Sequence, residues 1–565
     1  MGFYGYAENY SLKKDSLQIK ILIDPSLTYP TLTWVDESPK FRVPEPQFWE
    51  EAIGFLGYQF PDDDEGKIKI CRLFRAMVVH ITAHTVYPLP RFLDSTSLSA
   101  QFVESIIKDL YVNEKIEASH PERIVDLAYA NALATASFKR LNRIFLRSTR
   151  IMTAILMGVF CGRSFDDLDD DDRAIVEEIT GGLSELKTVI GQSIEKGGFD
   201  HDEIREKAEL LHERLREHGP FVEIPNFSYT ENASSSSVYS NHLALDDTEV
   251  EPFFRDAMQA LGGKQPEEGP ISSSWEKTDE IESIQVFSNY RLEKAKEAKI
   301  LDKLRESLEP TRFKSIEVPP QDHSEYIRTR RLIGGSSRRL LNNIMVATNL
   351  EFEDIRKKFG VLNLADAIQV VASKSDRSDV FMKDELLRQS FSLVVLMDVS
   401  RSMGVSIKES RARAVCLTDA VTTFITESAS CALYAFSDRL YVLKDGSEPF
   451  TKVVRARIGG VPFDGATYMP EAIRAAAEFL KDKAEEQKII LILSDGFPYG
   501  YSEIHDALGE VTEEYEGKGV IIIGIGMDTE KMGELFRYSS AVYSQKDLIN
   551  GVAKIFLKAS MAELG

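Results

Sequence analysis

The stretch LVVLMDVSRSMG, residues 393 to 404, joins an apolar segment to a cluster of polar side chains and is the strongest indication of the fold. Its apolar residues run directly into Asp398, and Ser400 and Ser402 follow at alternate positions. A nearly continuous apolar strand is typical of a parallel sheet that helices cover on both faces. Polar residues directly after such a strand lie at the carboxyl edge of the sheet, where open α/β sheets bind ligands.

Apolar segments and helical segments alternate from about residue 390 onwards. This alternation predicts an α/β domain over residues 389–565, with a doubly wound, mostly parallel sheet. The predicted strands are 392–397, 431–437, 440–444, 488–494, 519–526 and 541–544. The predicted helices are 408–429, 469–487, 501–517, 530–539 and 545–560.

Two later segments also carry oxygen ligands just past predicted strands. GGVPFDGATYMP (459–470) offers Thr467 before a helix, and LILSDGFP (491–498) places Asp495 after a buried strand. Carboxylates and hydroxyls are hard ligands that suit Mg²⁺. In the alternative, the serines are helix caps and Asp495 is a turn residue, which requires three separate coincidences. We therefore predict a metal site formed by Asp398, Ser400, Ser402, Thr467 and Asp495.

This set resembles the metal-ion-dependent adhesion site of von Willebrand factor A domains. That pattern is Asp-x-Ser-x-Ser, then a Thr in a distal loop and an Asp in a still later loop, and all five residues match in order. The resemblance implies Mg²⁺ or Mn²⁺ as the bound ion. Arg401 departs from the pattern, since many relatives have Gly there, and it is tolerated if its side chain points to solvent. A carboxylate of another molecule can occupy an open position on such an ion.

The layout is similar to an intracellular group of these proteins that works with MoxR-type AAA+ ATPases. Its members include the CobT subunit of aerobic cobaltochelatase, the NorD protein of nitric oxide reductase maturation and the CbbO activator of Rubisco. The similarity rests on residues 359–383 before the first strand and on IIIGIGMD (521–528). It implies a non-catalytic adaptor, most like CobT, that couples the ATPase to metal insertion or to a metalloenzyme client. A NorD- or CbbO-type activator and a stand-alone binding scaffold are the alternatives.

The rest of the chain divides by composition. Residues 1–222 have helical periodicity and predict a mainly α-helical N-terminal domain. Residues 223–283 are polar and rich in Ser, Pro and Gly, which predicts a partly disordered linker. Residues 284–388 predict a helical, basic connecting region. Its arginines form a solvated face, a contact for an acidic partner or a contact for a tetrapyrrole carboxylate; they are Arg328, Arg330, Arg331, Arg338 and Arg339.

The motif HITAH places His80 and His84 four residues apart, on one face of a predicted helix. That is the spacing of a metal pair, but the metalloprotease motif H-E-x-x-H is not met. We favour a packed helix with two hydrogen-bonded histidines, and metal binding stays open. We assign no catalytic residue, because the sequence contains neither G-x-x-x-x-G-K-[ST] nor a credible Ser-His-Asp or Cys-His pairing.

The composition of the chain limits the classes of partner that we expect it to bind. The net charge of −22 argues against nucleic-acid binding and against an anionic membrane surface. It favours basic protein partners or divalent cations. The four cysteines form no C-x-x-C pair, which indicates a reducing compartment. The apolar runs are too short to span a membrane and the N-terminus lacks a signal-peptide pattern, so we expect a soluble cytoplasmic protein.

Overall fold

The computed structural model divides the chain into two compact units, Met1–Lys294 and Ala295–Gly565. It describes all residues except 1–2, 13–18, 36–37, 50, 163–164, 166, 197–200, 232, 234–237, 241–246, 265–276, 349–351, 358–360, 363, 374–376, 379, 386–389, 426, 486 and 563–565.

The first unit is mainly helical, as predicted for the N-terminal region. Its helices are α1 Phe3–Tyr10, α2 Asp64–Val86, α3 Leu98–Ser119, α4 Ile124–Ser137, α5 Arg147–Cys161, α6 Asp170–Lys196, α7 His201–Arg216 and α8 Asp247–Ala260, and α9 Lys277–Leu308 contains the boundary between the units. Short strands, which helical periodicity did not predict, precede α2; they are β1 Lys20–Asp24, β2 Thr31–Val35, β3 Ser38–Pro44, β4 Gln47–Phe48, β5 Ala52–Phe55 and β6 Tyr58–Pro61. They form two small sheets, in the orders β1-β3-β2 and β4-β5-β6.

Helix α2 lies at the centre of the first unit and is buried on nearly every side. It begins where the Asp63 side chain accepts a hydrogen bond from Gly66 N at 2.7 Å, a normal N-cap. Two of its arginines are buried and face Asp126 of α4: Arg72 Nη1 donates to it at 2.8 Å and Arg75 Nε at 2.9 Å. This one carboxylate therefore pairs with two guanidinium groups that are buried from water.

The prediction of a polar linker over residues 223–283 was wrong where the structure describes that segment. Helix α8 lies within it and packs on α4 and α5, burying Phe253 and Phe254 in the core of the first unit. Tyr229 is buried as well and donates to Asn131 Oδ1 at 2.5 Å. Large aromatic side chains offset the polar composition of the segment by burying apolar area. Residues 265–276 of the predicted linker lie outside the described residues.

The second unit alternates strands and helices. Its strands are β7 Ile316–Glu317, β8 Phe352–Lys357, β9 Val361–Leu362, β10 Phe381–Glu385, β11 Phe391–Asp398, β12 Cys431–Phe436, β13 Leu440–Lys444, β14 Gln487–Ser494, β15 Val520–Met527 and β16 Tyr538–Val542. Its helices after α9 are α10 His323–Ile333, α11 Ser336–Thr348, α12 Leu364–Ser373, α13 Ile407–Phe424, α14 Lys452–Gly460, α15 Met469–Lys481, α16 Ile504–Glu516, α17 Met532–Leu535 and α18 Gln545–Ala562. The small sheet β8-β10-β9 is separate from the main sheet.

The main sheet has seven strands in the order β16-β15-β14-β11-β12-β13-β7. Every neighbouring pair is parallel except β12 and β13. Alternate residues of β11 enter two different cores: Leu393 packs with α13 and α18, and Val394 packs with α15 and α16. Helices therefore cover both faces, which confirms the predicted doubly wound α/β class. The strand order reverses at β11, whose neighbours are β12 and β14.

The predicted domain boundaries at residues 284 and 389 do not match the second unit, which begins at Ala295. Strand β7 pairs with β13, so residues 316–317 are part of the main sheet. Helices α10 and α11 pack on α13, and α11 also packs on α18. Most of the predicted connecting region therefore belongs to the second unit. No helix among the described residues is long and apolar enough to cross a membrane.

Replacing Asp126 with Ala should strongly destabilise the first unit. The substitution leaves Arg72 and Arg75 buried without their carboxylate, and breaking a buried ion pair in this way costs about 3–5 kcal/mol. The matched control is Asp170→Ala, because Asp170 is fully exposed and its ion pair with Arg173 lies at the surface. The control should lose less than about 1 kcal/mol. Urea denaturation of both variants measures the difference, and equal midpoints would contradict the assignment.

Candidate metal centre

Asp398 is the last residue of β11 and lies beside the end of β14, because Met397 pairs with Leu493 in the parallel register. Its side chain is completely buried, at 0% exposure. Oδ1 accepts a hydrogen bond from Ser400 N at 2.8 Å, and Oδ2 accepts one from Ser494 Oγ at 2.5 Å. The carboxylate therefore joins the ends of the two central strands.

The hydroxyls of the Asp-x-Ser-x-Ser segment lie above this carboxylate and extend towards Asp495. Ser400 Oγ is 3.1 Å from Ser402 Oγ, and Ser402 Oγ donates to Asp495 Oδ1 at 3.0 Å. Octahedral Mg²⁺ binds oxygens at 2.0–2.1 Å, so adjacent ligands around it lie about 3.0 Å apart. The Ser400–Ser402 and Ser402–Asp495 separations match that value.

Backbone hydrogen bonds hold Thr467 in the same cleft as the two serines and Asp495. Its N–H donates to Tyr499 O at 2.9 Å and its carbonyl accepts from Tyr499 N at 3.1 Å, which ties its loop to the segment after β14. Gly465 in this loop has φ +90°, and a Cβ there would lie 2.2 Å from Asp438 Oδ1. Glycine is therefore required for the loop to pass so close to that carboxylate.

The structure brings Ser400, Ser402, Thr467 and Asp495 into the wall of one open cleft of about 1150 Å³. Asp398 lies beneath them and is not part of the cleft wall. All five predicted metal residues thus belong to one neighbourhood, at the carboxyl edge of the sheet.

The other carboxylates of the cleft have cationic neighbours. Asp438 forms an ion pair with Lys314 at 2.5 Å. Asp464 Oδ1 lies 3.4 Å from Arg401 Nε, and the Arg401 side chain is 86% exposed. Arg401, which departs from the adhesion-site pattern, thus extends into solvent. This is the orientation in which we expect the site to tolerate an arginine at this position.

Burial raises the pKa of the Asp398 carboxyl to about 6, although hydrogen bonds from Ser400 and Ser494 oppose that change. The nearby charge of Asp495 raises it further. A raised carboxyl pKa means that the ionised form is disfavoured in its surroundings. A cation between the two carboxylates would remove that penalty, so the electrostatics of the site favour a bound cation.

The five arginines predicted to form one cluster lie in different places in the structure. Arg330 and Arg338 line a second cleft of about 530 Å³, at the turn between α10 and α11. Arg330 Nε lies 3.1 Å from Asp419 Oδ2, and Arg328 Nη1 lies 3.7 Å from Glu325 Oε2. Arg455 of α14 also lines this cleft, and sequence analysis missed it because it lies more than a hundred residues further along the chain. Arg331 and Arg339 are exposed and do not line the cleft.

Comparison with known families identifies this region. The von Willebrand factor type A domain family matches residues 393–497, which include all five predicted metal residues. The chain therefore contains a von Willebrand factor A domain, in the second unit. No curated protein matches the chain.

Several solved structures are similar to parts of the chain. Proximal thread matrix protein 1 from the mussel byssus is 15% identical, with a TM-score of 0.25, over 30% of this chain and 48% of its own, so this chain spans about half of that protein. Another structure of it is described as having a zinc-occupied MIDAS motif. The SpRpn10 VWA domain is 15% identical, with a TM-score of 0.22, over 28% of this chain and 94% of its own. The Deinococcus radiodurans RO (RSR) protein is 10% identical, with a TM-score of 0.21, over 87% of this chain and 99% of its own.

Asp398→Ala should lower Mg²⁺ affinity at least tenfold, because it removes the carboxylate that positions Ser400 and carries charge beneath the hydroxyls. Asp464→Asn is the matched control, since it removes an exposed carboxylate from the same cleft and should leave affinity unchanged. Isothermal titration calorimetry of the full chain with Mg²⁺ and Mn²⁺ measures both. Equal affinities in wild type and Asp398→Ala would contradict the assignment.

Proposed function

We propose that the A domain binds one divalent cation, Mg²⁺ or Mn²⁺, and that the bound ion recognises a carboxylate of another protein. The ligands would be Asp398, Ser400, Ser402, Thr467 and Asp495. The observation that carries the proposal is that contacts of 3.0–3.1 Å link the side-chain oxygens of Ser400, Ser402 and Asp495 in the wall of an open cleft. Oxygen ligands favour these hard ions over softer metals.

The chemistry of the ligands favours an ion that stays available to a partner. The hydroxyls are neutral, and the buried Asp398 already accepts hydrogen bonds on both oxygens. Asp495 is then the one carboxylate of the predicted set in the cleft wall. Mg²⁺ prefers six ligands and usually keeps several waters, so five side chains that give one oxygen each leave a position open. An Asp or Glu of a partner can replace water there and supply charge.

The surroundings of the cleft suit a protein ligand. Lys314, Arg439 and Lys531 line it, and their positive charge favours an acidic partner surface. Tyr499, whose backbone pairs with Thr467, is 76% exposed. Exposed tyrosines are among the residues that most often dominate binding energy at protein interfaces. These features support recognition of an acidic segment and a neighbouring apolar side chain.

The more specific proposal is an adaptor that couples a MoxR-type AAA+ ATPase to a metalloenzyme or chelatase client. It is supported by the resemblance to CobT-type proteins and by the absence of a G-x-x-x-x-G-K-[ST] motif from the sequence. The acidic residue that reaches the ion would belong to the ATPase ring or to the client. Arg330, Arg338 and Arg455 offer a second contact for an acidic partner, in the cleft between α10 and α11.

Thr467→Ala should change the melting temperature little although Thr467 is buried, because the two backbone hydrogen bonds to Tyr499 that hold its loop are kept. Binding to the AAA+ partner or client should fall at least tenfold, and EDTA should reproduce the loss in wild type. Thr451→Ala is the matched control, since Thr451 is exposed and its side chain makes no capping hydrogen bond.

Pull-down and differential scanning calorimetry test this pair of variants. If EDTA leaves the complex intact and Thr467→Ala unfolds the domain, any ion at the site serves stability alone.

The purified chain should not hydrolyse ATP, but it should change the ATPase rate of its AAA+ partner. Release of phosphate is measured with each protein alone and with both, in the presence of Mg²⁺. The Asp398→Ala chain is the control, and it should leave the partner's rate at its basal value. Hydrolysis by the chain alone, or an equal effect of Asp398→Ala, would contradict the coupling.

A further inference from the structure

The first unit contains a cluster of metal-ligand side chains far from the A-domain site in sequence. His80 and His84 lie one turn apart on α2, Asp109 lies on α3, and Glu231 lies in the segment that follows α7. His80 is 1% exposed, whereas the Asp109 and Glu231 side chains keep partial contact with solvent. The cluster is thus enclosed on the α2 side and accessible to an ion from the carboxylate side.

His80, His84 and Glu231 offer ligand atoms that all lie within 4.8 Å of one another, and Asp109 Oδ1 lies close to both histidines. His80 Nε2 and His84 Nε2 are 3.2 Å apart, and Asp109 Oδ1 lies 3.6 Å from the first and 3.1 Å from the second. Glu231 Oε2 is 3.8 Å from His84 Nε2. Zn²⁺ binds imidazole nitrogen and carboxylate oxygen at about 2.0–2.2 Å, so the edges of its coordination tetrahedron are about 3.3–3.6 Å long.

A second observation points to a ligand at this place. Glu231 Oε2 is buried and accepts no hydrogen bond from any described residue. A buried polar atom without a partner is costly, and burying an unpaired charge costs more. The two imidazoles meet through Nε2, so in the absence of an ion one of these nitrogens must carry a proton to make their contact. A dication would accept lone pairs from both rings and balance both carboxylates.

We propose that His80, His84, Asp109 and Glu231 bind one divalent transition-metal ion, with Zn²⁺ as the preferred species. Imidazole nitrogen suits Zn²⁺, whereas Mg²⁺ selects oxygen ligands, so this site differs in chemistry from that of the A domain. Four protein ligands close a tetrahedral shell, which is the pattern of structural zinc rather than catalytic zinc. The ion ties α2, α3 and the segment around residue 231 together, independently of the function proposed for the A domain.

The neighbouring residues hold the ligands in place. The Tyr229 ring packs edge-on against His80, with centroids 5.2 Å apart, and its hydroxyl is fixed by Asn131. Because Tyr229 lies two residues before Glu231, the same contact anchors the segment that supplies the carboxylate. The sequence showed the histidine pair but not the acidic ligands, because 29 residues separate His80 from Asp109 and 147 separate His84 from Glu231.

The test uses the full-length chain carrying Asp398→Ala, so that the A-domain site does not contribute. The metal-free protein is titrated with Zn²⁺ against a chromophoric chelator, and with Co²⁺, whose visible absorption is intense only in tetrahedral surroundings. His84→Gln and Glu231→Gln are added to this parent, with His218→Gln as the matched histidine control. Circular dichroism without metal checks that each variant is folded, and Glu231 is exposed enough for its substitution to be tolerated.

The parent and His218→Gln should bind one equivalent of Zn²⁺ and show the tetrahedral Co²⁺ spectrum. Glu231→Gln and His84→Gln should weaken Zn²⁺ binding at least about 100-fold, since changes outside the ligand shell alone cost roughly 10–100-fold. The proposal is overturned if the parent binds no Zn²⁺, if Glu231→Gln and His84→Gln bind it like the parent, or if His218→Gln loses as much affinity as they do.

Discussion

The second unit depends on one buried carboxylate at the point where the sheet reverses its strand order. Asp398 ends β11 and accepts hydrogen bonds from Ser400 N and Ser494 Oγ, so it fixes the turn after β11 and joins it to the end of β14. Both strands are nearly all buried, and the parallel register brings their carboxyl ends to one edge. The loops that carry the remaining candidate ligands are positioned from that edge.

This arrangement also explains why the site should recruit an ion. Burial holds the pKa of Asp398 well above the usual carboxyl range, and Asp495 adds further negative charge nearby. The stability of the fold and the affinity for a cation therefore both depend on Asp398. The hydroxyls of Ser400 and Ser402 orient oxygen atoms without adding charge, so an ion held there would keep its attraction for an external carboxylate. That is how the A domain could sense a partner.

The sequence predicted the A domain well because its signals are local. Apolar strands and polar strand ends can be read within short windows, and the five predicted metal residues follow a known order between residues 398 and 495. The predicted and observed strands from β11 to β16 agree within a few residues. Helix α8 was missed because a polar composition concealed Phe253 and Phe254, whose burial depends on α4 and α5. The pairing of β7 with β13, and the approach of Glu231 to His84, depend on tertiary packing and leave no local pattern.

The ion proposed for the A domain should keep a position open for a partner. Water-proton relaxation with Mn²⁺ bound to the full chain tests it most directly, because the enhancement depends on exchangeable waters in the inner shell of the ion. His84→Gln should be included in the protein so that the first unit does not contribute. The relaxation enhancement should be strong, and it should fall when a partner carrying an acidic segment binds. An ion with no exchangeable inner-shell water, or an enhancement that the partner does not change, would contradict it.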